Sequence, residues 1–166
     1  MNKTIHDSEI ISENKQVITA CAFIHENFNG IEKVFLPKRA LTKKFLPGVY
    51  ELSGGHINFG EDIISGLKRE IDEEFNMSIK VGDPFAVFTY INDIKKSHSI
   101  EVAYFAKFIE QIDNILIHQE DHSEFGWFAE NELDKIIDNN KRKDDPEIRI
   151  IKKGFLLLNG RSLLFN

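Results

Sequence analysis

The stretch Gly54–Met77 reads GGHINFGEDIISGLKREIDEEFNM, and its two halves differ in character. The first half is a glycine-rich loop. The second half has helical periodicity: Ile63, Ile64, Leu67, Ile71 and Phe75 form an apolar stripe that can dock on a sheet. Glu70, Glu73 and Glu74 stand at i, i+3 and i+4. At about 100° per residue they share one side of the helix, next to that stripe. Like charges at these spacings cost an isolated helix about 0.2–0.5 kcal/mol per pair. A hard divalent cation, which takes oxygen ligands, would offset that cost. For three glutamates taken alone, a solvated acidic face is the ordinary alternative.

The residues around the three glutamates shift that balance. Gly55 is followed after five residues by Glu61, and after seven more by Arg69-Glu70, an aliphatic Ile71, one further residue and Glu73-Glu74. Six fixed residue types at fixed spacing would agree by chance about once in ten million starts. The pattern resembles the Nudix box, G-x5-E-x7-R-E-U-x-E-E-x-G-U with U aliphatic. Met77 is the closing apolar residue, and Asn76 stands where the family has its closing glycine. Asn is the next most tolerant residue of the left-handed conformation that ends a helix, so the change reads as a conservative cap swap.

The resemblance implies an α/β fold, a Nudix-type α/β/α sandwich with a mixed β-sheet, over most of the chain. It implies a Mg²⁺-dependent pyrophosphohydrolase, with Mn²⁺ as a substitute, acting on a nucleoside diphosphate linked to another moiety. Carried over residue by residue, the metal ligands are Glu70, Glu73, Glu74 and the carbonyl of Gly54. Arg69 projects about 100° from those carboxylates and cannot share their metal. By resemblance it orients them through an ion pair with Glu61 or Glu73. Glu61, Arg69, Glu70 and Glu73 form the catalytic set, and Gly55 and Arg39 lie on the substrate side. The general base is a box glutamate or an acid of the later segment Glu120-Asp121-His122-Ser123-Glu124, where Glu120 and Glu124 are favoured.

Phosphoanhydrides carry charge that repels a nucleophile, and a divalent ion on the phosphate oxygens neutralises it. Consecutive glycines let the backbone approach such a ligand with no Cβ in the way. Glu61 also has a plain structural role as negative charge at a helix start. The aromatic residues Phe59, Phe88, Tyr90 and Trp127 are candidates for stacking on a base. The proline that marks the family's ADP-ribose subgroup is not matched, because Pro84 is too close to the box. Tyr90 likewise falls short of the dinucleoside polyphosphate tyrosine. The alternative reading is a non-catalytic Nudix-fold nucleotide-binding or sensor module, against which stands the full set of box carboxylates. An isomerase acting on an isoprenoid diphosphate would want extra Cys or His ligands, and the chain has a single Cys.

The chain has 166 residues, 42% hydrophobic and 29% charged, which fits one globular domain over residues 1–166 with a loose lead-in at 1–15. A formal net charge of −6 disfavours broad binding to nucleic-acid backbones. It leaves open a small nucleotide or other pyrophosphate compound held through a cation. Cys21 lies in an apolar run and reads as a buried filler. No apolar leader or membrane-length run is present, so the expectation is a cytoplasmic protein with no membrane partner. A homodimer is common in the family.

Outside the box, the pattern predicts strands over 16–24 and 31–36 joined at 25–30, ended by Pro37-Lys38-Arg39. It predicts a basic connector at 41–47, a short strand over 48–52, and a helix whose first turn contains Glu61 and Asp62. Gly66 sits inside that helix, either keeping the carboxylate side open or allowing a close helix–sheet contact. A loop at 81–84 precedes strands over 85–91 and 100–109, with a short apolar piece at 115–117. The segment HSEFGWFAENEL resembles the family's stretch in which an acid precedes a Trp and an "EL" helix, here expected over 129–137. A polar loop over 138–145 leads to a helix over 146–158 with proline at its first position.

Overall fold

A computed structural model of the chain describes residues 12–137 and 145–161. In order, the elements are β1 (Lys15–Phe28), β2 (Ile31–Arg39), β3 (Ser53–His56), α1 (Ile63–Phe75), β4 (Ile79–Asn92), β5 (Ser97–Phe108), β6 (His122–Ala129) and α2 (Pro146–Leu158). Short 3₁₀ turns cover Ile112–Asn114 and Glu130–Ile136. The sheet order is β4-β5-β1-β2-β6, with β3 also pairing β1. β1 and β5 run parallel, and every other pairing is antiparallel. The sheet is therefore mixed.

β1 is the central strand, and its alternation divides the protein into layers. Ala20, Ala22 and Ile24 face Leu67, Ile71 and Phe75 of α1, together with Phe35 of β2. Cys21 and Phe23 face the other way, onto Ile148, Ile151 and Phe155 of α2, with Val34 and Leu36. A period of two on the strand thus serves two helical stripes, one on each face. Cys21 is a buried filler, and burial pushes its thiol well above the usual range.

Local chemistry sets the element ends. Asn29 (φ 53°) and Gly30 (φ 89°) form the two-residue turn between β1 and β2, both with the positive φ such a hairpin requires. Asp62 caps α1 by accepting the Ser65 N–H at 2.9 Å. Asn76 ends it in the left-handed region (φ 52°, ψ 40°), its N–H donating to Asp72 O. Asp145 caps α2 just ahead of the proline.

The structure corrects several sequence expectations. β2 does not stop at Pro37: it runs to Arg39, because β6 pairs along it from Lys33 to Arg39. Residues 48–52 form no strand; only Tyr50 bridges to Lys38, and the strand lies instead on the glycines themselves, as β3. Glu61 lies outside α1, since Asp62 takes the cap. Residues 81–84 belong to β4, where two register shifts absorb Gly82-Asp83-Pro84. The acid-rich segment after Asp121 is β6. Residues 130–136 form a 3₁₀ helix rather than an α-helix, with Leu133 and Ile136 buried three apart as its three-residue turn demands. Of the loop expected at 138–145, residues 138–144 lie outside the described residues.

Candidate active site

The glycine loop is pinned before the helix begins. β3 pairs Gly54 with Cys21 and Gly55 with Ala20. Gly54 has φ 155°, and a Cβ there would overlap the Ala20 carbonyl. Gly55 needs to be bare for a different reason: a Cβ there would occupy the space now filled by the Glu70 carboxylate. The loop and the carboxylate row are therefore in contact. Gly66 faces Ile57 and Glu61, so its missing side chain lets the returning loop close on α1 rather than keeping the row open.

Arg69 is the hub of the row. Its Nε and Nη2 donate to the two oxygens of Glu61 at 2.9 and 3.0 Å. Nη2 also donates to the His56 carbonyl at 2.9 Å. Nη1 donates to Glu70 Oε1 at 2.8 Å and to Glu73 Oε2 at 3.3 Å. An ion pair of Arg69 with Glu61 or Glu73 is the expectation; the structure has both, and adds Glu70. Hydrogen bonds from Arg69, and one from the Asn58 N–H, hold the Glu61 carboxyl down to about 2. The same carboxylates hold the Arg69 guanidinium above its usual value, Glu61 foremost.

Glu74, one turn further on, is in the opposite condition. Its Oε2 is buried and has no hydrogen-bond partner. Burial pushes its carboxyl well above the usual range, and the nearby carboxylates of Glu51, Glu70 and Asp121 push it further, with Arg39 opposing. Among the described residues, no group of three or more His, Cys, Asp or Glu side chains is arranged so that it could hold a metal ion. Glu70 and Glu73 are instead turned to Arg69. The donor set is nonetheless all oxygen, and Glu74 adds a buried oxygen lacking a partner. Both features fit a hard divalent cation.

Residues outside the helix complete this end of the site. Arg39, its side chain 17% exposed, donates from Nε to Phe45 O at 2.9 Å and from Nη1 to both Glu51 oxygens at 3.1 Å. Glu51 Oε1 also meets His122 Nε2 at 3.1 Å. The His122 ring is buried and stacks on Phe75 of α1, centroids 5.3 Å apart. Asp121 is buried, paired with Lys43 and with His118 Nδ1 at 3.2 Å.

The structure brings Glu61, Arg69, Glu70 and Glu73 together, with Gly54 and Gly55 beneath them. It places Glu74 beside Glu51 and Asp121. Of the loop acids, Glu120 is exposed in the turn before β6. Glu124 is aligned with Lys38 across β2 and β6, and binds Lys38 Nζ (3.3 Å) and the Tyr50 hydroxyl (2.7 Å). Those two donors, Tyr50 first, hold the Glu124 carboxyl below its usual value, and burial and Glu124 push Tyr50 up to about 12. Tyr50 packs with the α2-side core, so Glu124 is drawn away from the carboxylate row. Glu51 was not singled out from the sequence, and His122, which as a loop histidine would ordinarily be solvated, is buried. The one available sign of Glu51 was a lone carboxylate between Tyr50 and Leu52 on the approach to the glycines. Among the aromatic residues, Trp127 packs on Phe28 and Phe35, whereas Phe59 is fully exposed on the loop and Tyr90 lies nearly parallel to Phe45, centroids 6.1 Å apart.

A family model described as the NUDIX domain matches residues 15–150. The chain belongs to the Nudix family. This Nudix chain is 25% identical over 127 residues to an uncharacterized Nudix hydrolase from Nostoc sp., spanning 75% of this chain and 72% of that protein. It superposes on the Ap4A hydrolase of C. elegans, solved as a binary complex, with a TM-score of 0.69 at 20% identity, over 87% of this chain and 98% of that one. It also superposes on the NUDIX domain of Shewanella oneidensis NrtR, solved with ADP ribose, with a TM-score of 0.66 at 18% identity, over 86% and 88% of the two chains. At these identities the likeness establishes the shared α/β/α fold. No helix among the described residues is long and apolar enough to cross a membrane.

Proposed function

We propose that this Nudix chain hydrolyses a phosphoanhydride bond of a nucleoside diphosphate linked to another moiety, using Mg²⁺ or Mn²⁺ held by Glu70, Glu73, Glu74 and the Gly54 carbonyl. The observation that carries this reading is the buried, partnerless oxygen of Glu74 at the end of a carboxylate row braced by Arg69. A divalent cation, when bound, neutralises phosphate charge that would otherwise repel the nucleophile. The protein's own groups do the rest. Arg69 and Glu61 fix the row. Gly55 leaves the space into which Glu70 projects. Arg39 presents positive charge to the substrate. Glu73, its side chain 59% exposed, is open to the attacking water and takes its proton, while Glu120 and Glu124 are the loop acids to compare with it.

ADP ribose and Ap4A, the compounds named with the two structural neighbours, both contain a phosphoanhydride joined to adenosine and head the substrate panel. Nucleoside triphosphates and sugar nucleotides complete it, each with Mg²⁺ or Mn²⁺, and phosphate is followed after coupled dephosphorylation of the products. Turnover of at least one compound is expected, with loss in Glu73→Gln. Silence across the panel, or unchanged turnover in Glu73→Gln, would overturn the assignment. Tight binding of ADP ribose without hydrolysis would favour a non-catalytic binding module.

A further inference from the structure

Three elements far apart in sequence meet at Glu51: the end of β2 through Arg39, the segment entering β3 through Glu51 itself, and the start of β6 through His122. None of the three belongs to the Gly54–Met77 stretch. The geometry of the contact is asymmetric. Arg39 spends Nε on a main-chain carbonyl and Nη1 on both oxygens of one carboxylate. Among the described residues, its Nη2 makes no such bond. A guanidinium held on two sides, at Nε and at Nη1, has its remaining nitrogen fixed in direction, with little rotamer freedom left to lose on binding. That group is joined to α1 through Glu51 and His122, whose ring stacks on Phe75, the residue after Glu74.

The grip is itself held in place. His122 meets the same Glu51 oxygen that Arg39 does, is 2% exposed and lies against Phe75, which α1 carries one position after Glu74. An imidazole Nε2–H donating to Glu51 leaves that carboxylate few orientations other than the one that holds Arg39. Among the described residues the His122 Nδ1 has no hydrogen-bond partner, and the ring's directed polar contact is the one to Glu51.

We infer that Glu51 and His122 are positioning residues that hold Arg39 with its free nitrogen toward a phosphate of the substrate, making an anion clamp outside the Gly54–Met77 stretch. The ligand chemistry is a di- or polyphosphate lying between the carboxylate row and Arg39. The clamp rests on the hydrolase reading for its meaning, but its test does not depend on turnover.

The probe is inorganic pyrophosphate in the presence of Ca²⁺, titrated calorimetrically into the full chain. Wild type is expected to bind. Arg39→Lys keeps the charge but loses the two-edged grip, and Glu51→Gln loses the bidentate partner; each is expected to weaken pyrophosphate about tenfold or more. His122→Phe keeps the stack on Phe75 but removes the donor. It is expected to weaken binding by a smaller factor, and His122→Gln, which restores a donor at the Nε2 position, is expected to recover most of it. A residue that merely supports the fold would make Phe and Gln equivalent. Thermal melting of each variant identifies any that fails to fold, and Arg39→Lys, the least disruptive change, then carries the test. Wild type that does not bind pyrophosphate, or Arg39→Lys and Glu51→Gln that bind as wild type does, would overturn the clamp. Equal affinities for His122→Phe and His122→Gln would overturn the part given to His122. A silent substrate panel with an intact clamp would sink the hydrolase reading alone.

Discussion

The two ends of the carboxylate row face opposite problems. At the Arg69 end, Glu61 is so well supplied with donors that it stays charged down to about pH 2. At the far end, Glu74 is half-buried among other acids, with a buried oxygen that no described residue satisfies. The first is the behaviour of a structural brace. The second is a free-energy cost that folding alone does not recover, and such costs gather where a ligand is meant to relieve them. Arg69, which holds Glu61 in place, and Glu74 thus stand on one helix, within two turns of each other.

The strongest way to break this contrast is to relieve the strained end. Glu74→Gln should lower metal-dependent turnover about a thousandfold, as expected when several kcal/mol of charge stabilisation are lost. It should also abolish the rise in melting temperature expected of wild type with Mg²⁺ or Mn²⁺. In EDTA the same variant should melt no lower than wild type, because it removes a buried charge. Gly55→Ala comes next. The new methyl group displaces the Glu70 carboxylate, and a shift of about 1 Å in a catalytic group costs up to about a hundredfold in rate. Circular dichroism should remain unchanged.

Arg69→Met tests the braced end. It leaves Glu61, Glu70 and Glu73 with their mutual repulsion and removes their shared donor, for an expected loss of about 1–3 kcal/mol in urea denaturation. The pH dependence of melting should separate the two ends by sign. Glu61 binds its proton less readily folded than unfolded, so its contribution is present above pH 4.5 and fades as the pH falls toward 2. Glu74 is raised, so its ionisation works against the metal-free fold as the pH climbs above 4.5. Glu61→Gln should flatten the acid limb of the curve and Glu74→Gln the neutral limb. The smallest effect is expected from Glu124→Gln. It removes a partly exposed partner of Lys38 and Tyr50, with a stability change of about 1 kcal/mol or less and turnover within about twofold of wild type. A large loss there would bring Glu124 back as the base.

The braced end was legible in the sequence because its information is local. Spacing placed Glu70, Glu73 and Glu74 on one side of α1, glycines marked the close approach, and Asn76 signalled the left-handed stop. The strained end was not legible in the same way. Glu51 and Asp121 come near Glu74, and His122 meets Phe75 beside it, only because β2 pairs with β6. No periodicity in any one segment carries that information. Charge alone also misdirects in the loop: Glu120, Asp121 and Glu124 look alike as letters, yet strand register sends Glu124 to Lys38 and leaves Asp121 near the row. Element ends were missed where pairing overrode local signals, as when β2 continued through Pro37 because β6 lay alongside.

The parallel ladder between β1 and β5 joins residues 15–24 to 97–106. A chain emerging from the ribosome therefore finishes the glycine loop and its helix well before β5, the parallel neighbour of β1, exists. Contacts spanning such long segments form slowly, and the half-made sheet presents an open apolar edge in the meantime. His122 arrives later still, so the last part of the proposed phosphate clamp to assemble is the part that no local pattern announces.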